Sequence, residues 1–199
     1  PSLFELVDKW LARMPLLKID KFDFWEYYQA ATNEMLAEDR QTITTNSMLS
    51  DVEIRQELKD WEGTKTNFDA LFDEDKFNTL REEGKFRLSH DALLSALFIK
   101  QYSEEPIFNL PFQLITALTE IDEQLTIWRY RHAMMVQRML GTKIGTGGSS
   151  GHHYLKKTTE SNRIYLDFFN MATFLLPKDA LPSLPEDVKR HLGFYLKAS

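Results

Sequence analysis

The 199-residue chain contains no cysteine. That excludes a disulfide scaffold, a thiolate zinc site, an iron–sulfur cluster and a cysteine nucleophile within it, and it leans toward a reducing compartment, for which the cytoplasm is the expectation. Long apolar runs are also missing. The strongest stretch, Ala92 to Ile99, contains Ser95 and ends at Lys100, far short of the roughly 20 residues that span a bilayer. A basic start followed by an apolar run, the mark of a signal peptide, is absent. There is no excess of base either: 24 Lys and Arg stand against 30 Asp and Glu, a net charge of −6. Such a chain is a poor binder of polyanions, which argues against nucleic acid or an anionic membrane as a partner. The imbalance is uneven. Residues 1–100 carry 13 basic and 20 acidic side chains and residues 101–199 carry 11 and 10, so a small anionic ligand would prefer the second half.

Alternation of period two and internal repeats are missing as well. What is present is helical spacing almost throughout, so the expected fold class is all-α, with little or no strand, in one domain. Ser2 and Glu5 form a capping-box pattern ahead of Leu3, Leu6, Val7, Trp10 and Leu11, and Pro15 ends that helix. A second amphipathic segment covers about 24–37. The polar run Gln41 to Ser50 reads as a flexible loop. Residues 51–83 read as a long helix, or a pair broken near Gly63, stopped by Gly84. Ser89 is placed to cap a central helix, Asp91 to Tyr102. Pro106 and Pro111 lead into the longest helix, ending near Leu140. Five of the eight glycines fall within Gly141 to Gly151. A helix from Leu155 to Leu176 and a last short one, Glu186 to Leu196, complete the expectation.

Two features carry chemistry. On the longest helix Leu125, Trp128, His132, Met135, Val136 and Met139 share one face at spacings of three and four, so an imidazole projects from an oily stripe beside Arg129, Arg131 and Arg138. The plain interpretation is a core histidine bonded to a carbonyl. The sharper one is an axial ligand to haem iron, where one imidazole suffices because the porphyrin supplies four nitrogens. Zinc would want three or four ligands, and no partner stands at metal-site spacing. The second feature is Gly145-Thr146-Gly147-Gly148-Ser149-Ser150-Gly151. It is either a flexible linker or a loop whose backbone approaches an anion closely. It matches neither a P-loop nor the dinucleotide fingerprint. His152 and His153, being adjacent, diverge too far on a helix to share one ion, and they read as loop-to-helix residues. His90 and His191 offer no pattern.

The string from Trp128-Arg129-Tyr130-Arg131-His132 to Leu140-Gly141, the run Gly145 to Gly151 and Tyr154-Leu155 together closely resemble the tryptophan 2,3-dioxygenases. So do Pro111-Phe112-Gln113-Leu114 through Asp122 and Asp167-Phe168-Phe169-Asn170 through Pro177, and the segments at Trp10 and Phe22 are similar to members of animal type. The resemblance implies a helical haem-dioxygenase fold and haem b (iron protoporphyrin IX). It implies insertion of O2 across the indole 2,3-bond of L-tryptophan to give N-formyl-L-kynurenine, the first step of tryptophan breakdown by the kynurenine route. His132 would be the axial iron ligand with Trp128 beside the cofactor. Gly145, Thr146 and Gly147 would contact substrate within a lid at 141–151. A homotetramer is implied. The family's distal histidine, indole-pocket phenylalanine and carboxylate-binding arginine have no counterpart here. The chain is therefore expected to be the carboxy-terminal, proximal-side half, active only with an amino-terminal half, and its Pro1 start fits that expectation. The competing reading is a non-catalytic helical fragment or interaction module in which His132 is structural.

Overall fold

A computed structural model describes residues 1–14, 18–19, 22–140 and 163–192. It divides into two compact units, 1–109 with 171–199, and 110–170.

In the first unit, α1 (Leu3–Ala12) starts at the expected capping box: Ser2 Oγ accepts the Glu5 N–H at 3.2 Å and Glu5 accepts the Ser2 N–H at 3.0 Å. A two-residue hairpin, β1 (Lys18–Ile19) with β2 (Phe22–Asp23), pairs antiparallel in the register Lys18↔Asp23 and Ile19↔Phe22. Asp23 then caps α2 (Phe24–Thr45) by accepting the N–H groups of Trp25 and Glu26. The helix runs through the residues expected to form a loop. Thr44 and Thr45 donate their hydroxyls to the carbonyls of Arg40 and Gln41 at 2.9 and 2.8 Å, so their polar groups are satisfied on the helix itself, and the connection shrinks to 46–50.

A second capping box, Ser50 with Glu53, opens α3 (Asp51–Leu71). Gly63 lies inside this helix and does not break it. An interior glycine costs only about 1 kcal/mol relative to alanine. The break comes at Phe72 and Asp73, where Asp73 caps α4 (Glu74–Glu82) by accepting the Lys76 N–H at 3.1 Å. Gly84, at φ +78°, ends that helix in the left-handed conformation glycine tolerates. The Trp61 indole donates to the Leu36 carbonyl at 2.9 Å and ties α3 to α2.

Helix α5 (His90–Gln101) is the centre of this unit: every residue from Ala92 to Ile99 is buried. Full burial of a side chain such as Leu97 or Phe98 is worth roughly 1.5–3 kcal/mol. Ser89 does not cap α5 with its own side chain. Instead Asp8, from α1, accepts both the Ser89 N–H at 2.7 Å and its hydroxyl at 2.9 Å. Further along, the hydroxyl of buried Tyr28 donates to the Phe174 carbonyl and that of Tyr102 to the Pro182 carbonyl, so two tyrosines clasp 171–184 onto α2 and α5. Burial raises both phenol pKa values well above their ordinary range. The unit closes with α8 (Glu186–Leu192).

The second unit is built on α6 (Asn109–Leu140), 32 residues and so about 48 Å long. Pro111 sits in its first turn, where a missing N–H costs nothing. Among its described side chains, Ile115, Leu118, Asp122 and Ala133 are buried. A short helix, α7 (Leu166–Asn170), follows Ile164 and Tyr165, whose N–H groups reach Asp122 on α6. The expected continuous helix from Leu155 to Leu176 does not form over its described part: Arg163 to Tyr165 are non-helical, and Met171–Phe174 is a 3-10 turn.

Candidate functional site

Helix α6 positions the histidine singled out from spacing. His132 is half-buried, and Trp128, one turn earlier, stacks on its ring with centroids 5.4 Å apart and planes 10° from parallel. Four-residue spacing on a helix brings two side chains face to face in this way. Among the described residues the His132 ring has no hydrogen-bond partner. A core histidine looks different, and His90 supplies the comparison: its Nε2 lies 2.8 Å from the Leu71 carbonyl oxygen, and Trp25 and Phe77 pack on its ring.

The oily stripe around His132 faces outward. Trp128 is 61% exposed, Met135 49% and Met139 74%, while Leu125 and Val136 are half-buried. Leu114, Ile121, Trp128 and Met135 recur every seven residues, and all are exposed. Beside them runs an open groove of about 670 Å³, lined by Ile121, Leu125 and Trp128 with Glu120 and Arg131 at its polar edge. Arg131 and Arg138 are exposed and Arg129 is half-buried. Among the described residues no group of three or more His, Asp and Glu side chains is arranged to hold a metal ion, so His132 is the candidate through which this surface would reach one, as a single ligand. The half-buried ring, its nitrogens without a hydrogen-bond partner among the described residues, and the adjoining apolar surface fit a haem ligand, which needs a neutral imidazole with a free nitrogen.

Gly145, Thr146 and Gly147, the rest of the expected lid at 141–151, and His152 and His153 lie outside the described residues, as does the side chain of His191. Asp122 was not singled out from the sequence. It is 5% exposed, and its Oδ1 and Oδ2 accept the N–H groups of Ile164 and Tyr165 at 2.9 and 3.4 Å. The signal was there: Ile115, Leu118 and Asp122 are spaced by three and four, which places an acid on the apolar side of the helix.

Comparison with known proteins bears on the whole chain. The family model described as tryptophan 2,3-dioxygenase matches residues 1–175. A protein named tryptophan 2,3-dioxygenase from Alteromonas mediterranea is 81% identical over 99% of this chain and 54% of its own length. Similarly named proteins from Bdellovibrio bacteriovorus and Dictyostelium discoideum are 48% and 47% identical over 98% and 97% of the chain, and 54% and 48% of their own lengths. The chain spans about half the length of the relatives it matches. No helix among the described residues is long and apolar enough to cross a membrane. With a family model matching most of its length and an all-α architecture that agrees, the chain belongs to the tryptophan 2,3-dioxygenase family.

Proposed function

We propose that these residues form the proximal side of a haem-dependent dioxygenase that adds O2 across the indole 2,3-bond of L-tryptophan to give N-formyl-L-kynurenine. The observation that carries the proposal is His132, half-buried on an apolar face with no hydrogen-bond partner among the described residues. Haem b, when bound, supplies the iron that activates O2. His132 would hold that iron from one side through a neutral ring nitrogen. Trp128, stacked on the ring, fixes its orientation and offers apolar surface beside the macrocycle. Arg129, Arg131 and Arg138 are the cations on α6 that would meet the propionates, since guanidinium groups pair well with carboxylates. Gly145, Thr146 and Gly147 are assigned to the amino-acid end of tryptophan by resemblance alone, within a lid over 141–151. Ordering such a segment costs backbone entropy that substrate contacts must offset.

The distal side of the pocket is assigned to an amino-terminal half, in keeping with a chain that spans about half of its relatives' length. A homotetramer and a cytoplasmic location complete the proposal. The test is complementation. The haem-loaded chain should form N-formyl-L-kynurenine from tryptophan and O2 only when mixed with the amino-terminal half of a relative. Turnover by residues 1–199 and haem alone, or no product from the mixture, would overturn it. A chain that leaves the spectrum of added haem unchanged would favour the non-catalytic module instead.

A further inference from the structure

Asp122 is a buried carboxylate on the apolar side of α6, next to Ile115 and Leu118. Burial alone would favour leucine there, because a charge taken out of water is costly unless it is fully engaged. Among the described residues it has no ion pair. Each oxygen instead accepts one main-chain N–H, Ile164 on Oδ1 and Tyr165 on Oδ2, and such charge-assisted bonds fix geometry as well as energy. These two amides come directly before α7, and Tyr165 stacks on Phe168 at 5.7 Å with planes 2° apart.

The place matters because of what lies between in sequence. Leu140 ends α6, the glycine run 145–151 follows, and Ile164 is back on α6 at the level of Asp122. Asp122 and Leu140 are 18 residues apart on one helix, about 27 Å, and His132 lies between them. We propose that Asp122 is a positioning residue: by holding the Ile164 and Tyr165 amides, it sets where the chain returns to the helix that carries His132. This deepens the functional reading above and rests on it for its effect on substrate.

The carboxylate is specifically required. Asparagine keeps one acceptor oxygen but turns an N–H2 group toward the second amide, donor against donor. The experiment uses the full-length, haem-loaded enzyme with Asp122→Asn and Asp122→Ala. Amide exchange at Ile164 and Tyr165 should quicken by about tenfold or more. KM for L-tryptophan should rise by about tenfold, the pattern expected when binding rather than chemistry is weakened. The kcat should stay within about twofold and the haem Soret band should not move, since His132 is untouched. Unchanged exchange in Asp122→Asn would overturn the proposal. So would faster exchange with an unaltered KM, which would mean that the bonds serve folding only, and so would loss of kcat with KM unaltered. If Asp122→Ala fails to fold, Asp122→Asn decides. A parent enzyme without a Soret band or tryptophan turnover would sink the functional reading alone. Exchange at Ile164 and Tyr165 would still decide whether Asp122 holds the returning segment.

Discussion

Helices α5 and α6 are both apolar, but they use their apolar residues in opposite ways. From Ala92 to Ile99 no residue of α5 is more than 3% exposed, and its neighbours in the chain account for all of that burial. Along α6, Leu114, Ile121, Trp128 and Met135 point outward although each is large and oily. The histidines follow the same division. His90, at the start of α5, is bonded to the Leu71 carbonyl and enclosed by Trp25 and Phe77, whereas His132 on α6 stacks on Trp128 and has no hydrogen-bond partner among the described residues. The folding of this chain explains α5 completely. A contiguous exposed apolar stripe signals instead that something else is to cover it; under the proposed function that cover would be haem and an amino-terminal half.

Substitutions can break this contrast. Phe98→Ala, in the middle of α5, should cost about 3–5 kcal/mol through lost burial and the cavity left behind. Trp128→Ala should stay within about 1 kcal/mol of the parent. Urea unfolding of the haem-free chain measures both, and equal losses would erase the distinction. The next largest effect is expected at His90→Ala, about 1–3 kcal/mol, because the Leu71 carbonyl loses its partner; His132→Ala in the same assay should change stability by no more than about 0.5 kcal/mol.

Alkaline pH should sharpen the picture from the other side. Burial raises the pKa of Tyr28 and Tyr102 above the value near 10 of an unfolded tyrosine. A raised folded pKa gives stability that is fully present below about pH 10 and lost as pH climbs toward the folded value. Urea midpoints should therefore hold level to about pH 9 and fall above 10. Tyr28→Phe should flatten part of that fall while costing about 1 kcal/mol at neutral pH, from its lost bond to the Phe174 carbonyl. A fall of unchanged steepness in Tyr28→Phe would show that this tyrosine is not the titrating group. The smallest effect belongs to Met139→Gln, 74% exposed in the parent, where a change beyond about 0.5 kcal/mol would contradict the outward-facing stripe.

Local signals were legible in the sequence and distant ones were not. The Ser2 box, the Gly84 stop, the buried run of α5 and the long α6 each rest on residues a few positions apart, and all appear as expected. Gln41 to Thr45 misled because threonines favour loops by composition, while here their hydroxyls bond back to the preceding turn. Gly63 misled because one interior glycine is a weak breaker beside the Asp73 cap. Capping of Ser89 by Asp8 joins residues 81 positions apart, and the Asp122 bonds span 42 and 43. Spacing could flag Asp122 as an acid on an oily side but could not name what it holds. His132 and its stripe were legible as a face of a helix. That the face lies open followed only from the structure.

The central claim is that His132 grips haem iron, and titration of ferric haem into three proteins tests it most directly. The parent chain and His90→Gln should both develop a strong Soret band as haem is taken up, and His132→Ala should not. An equal Soret band at the same wavelength in His132→Ala would contradict the account and leave His132 as an ordinary residue on an exposed helix face.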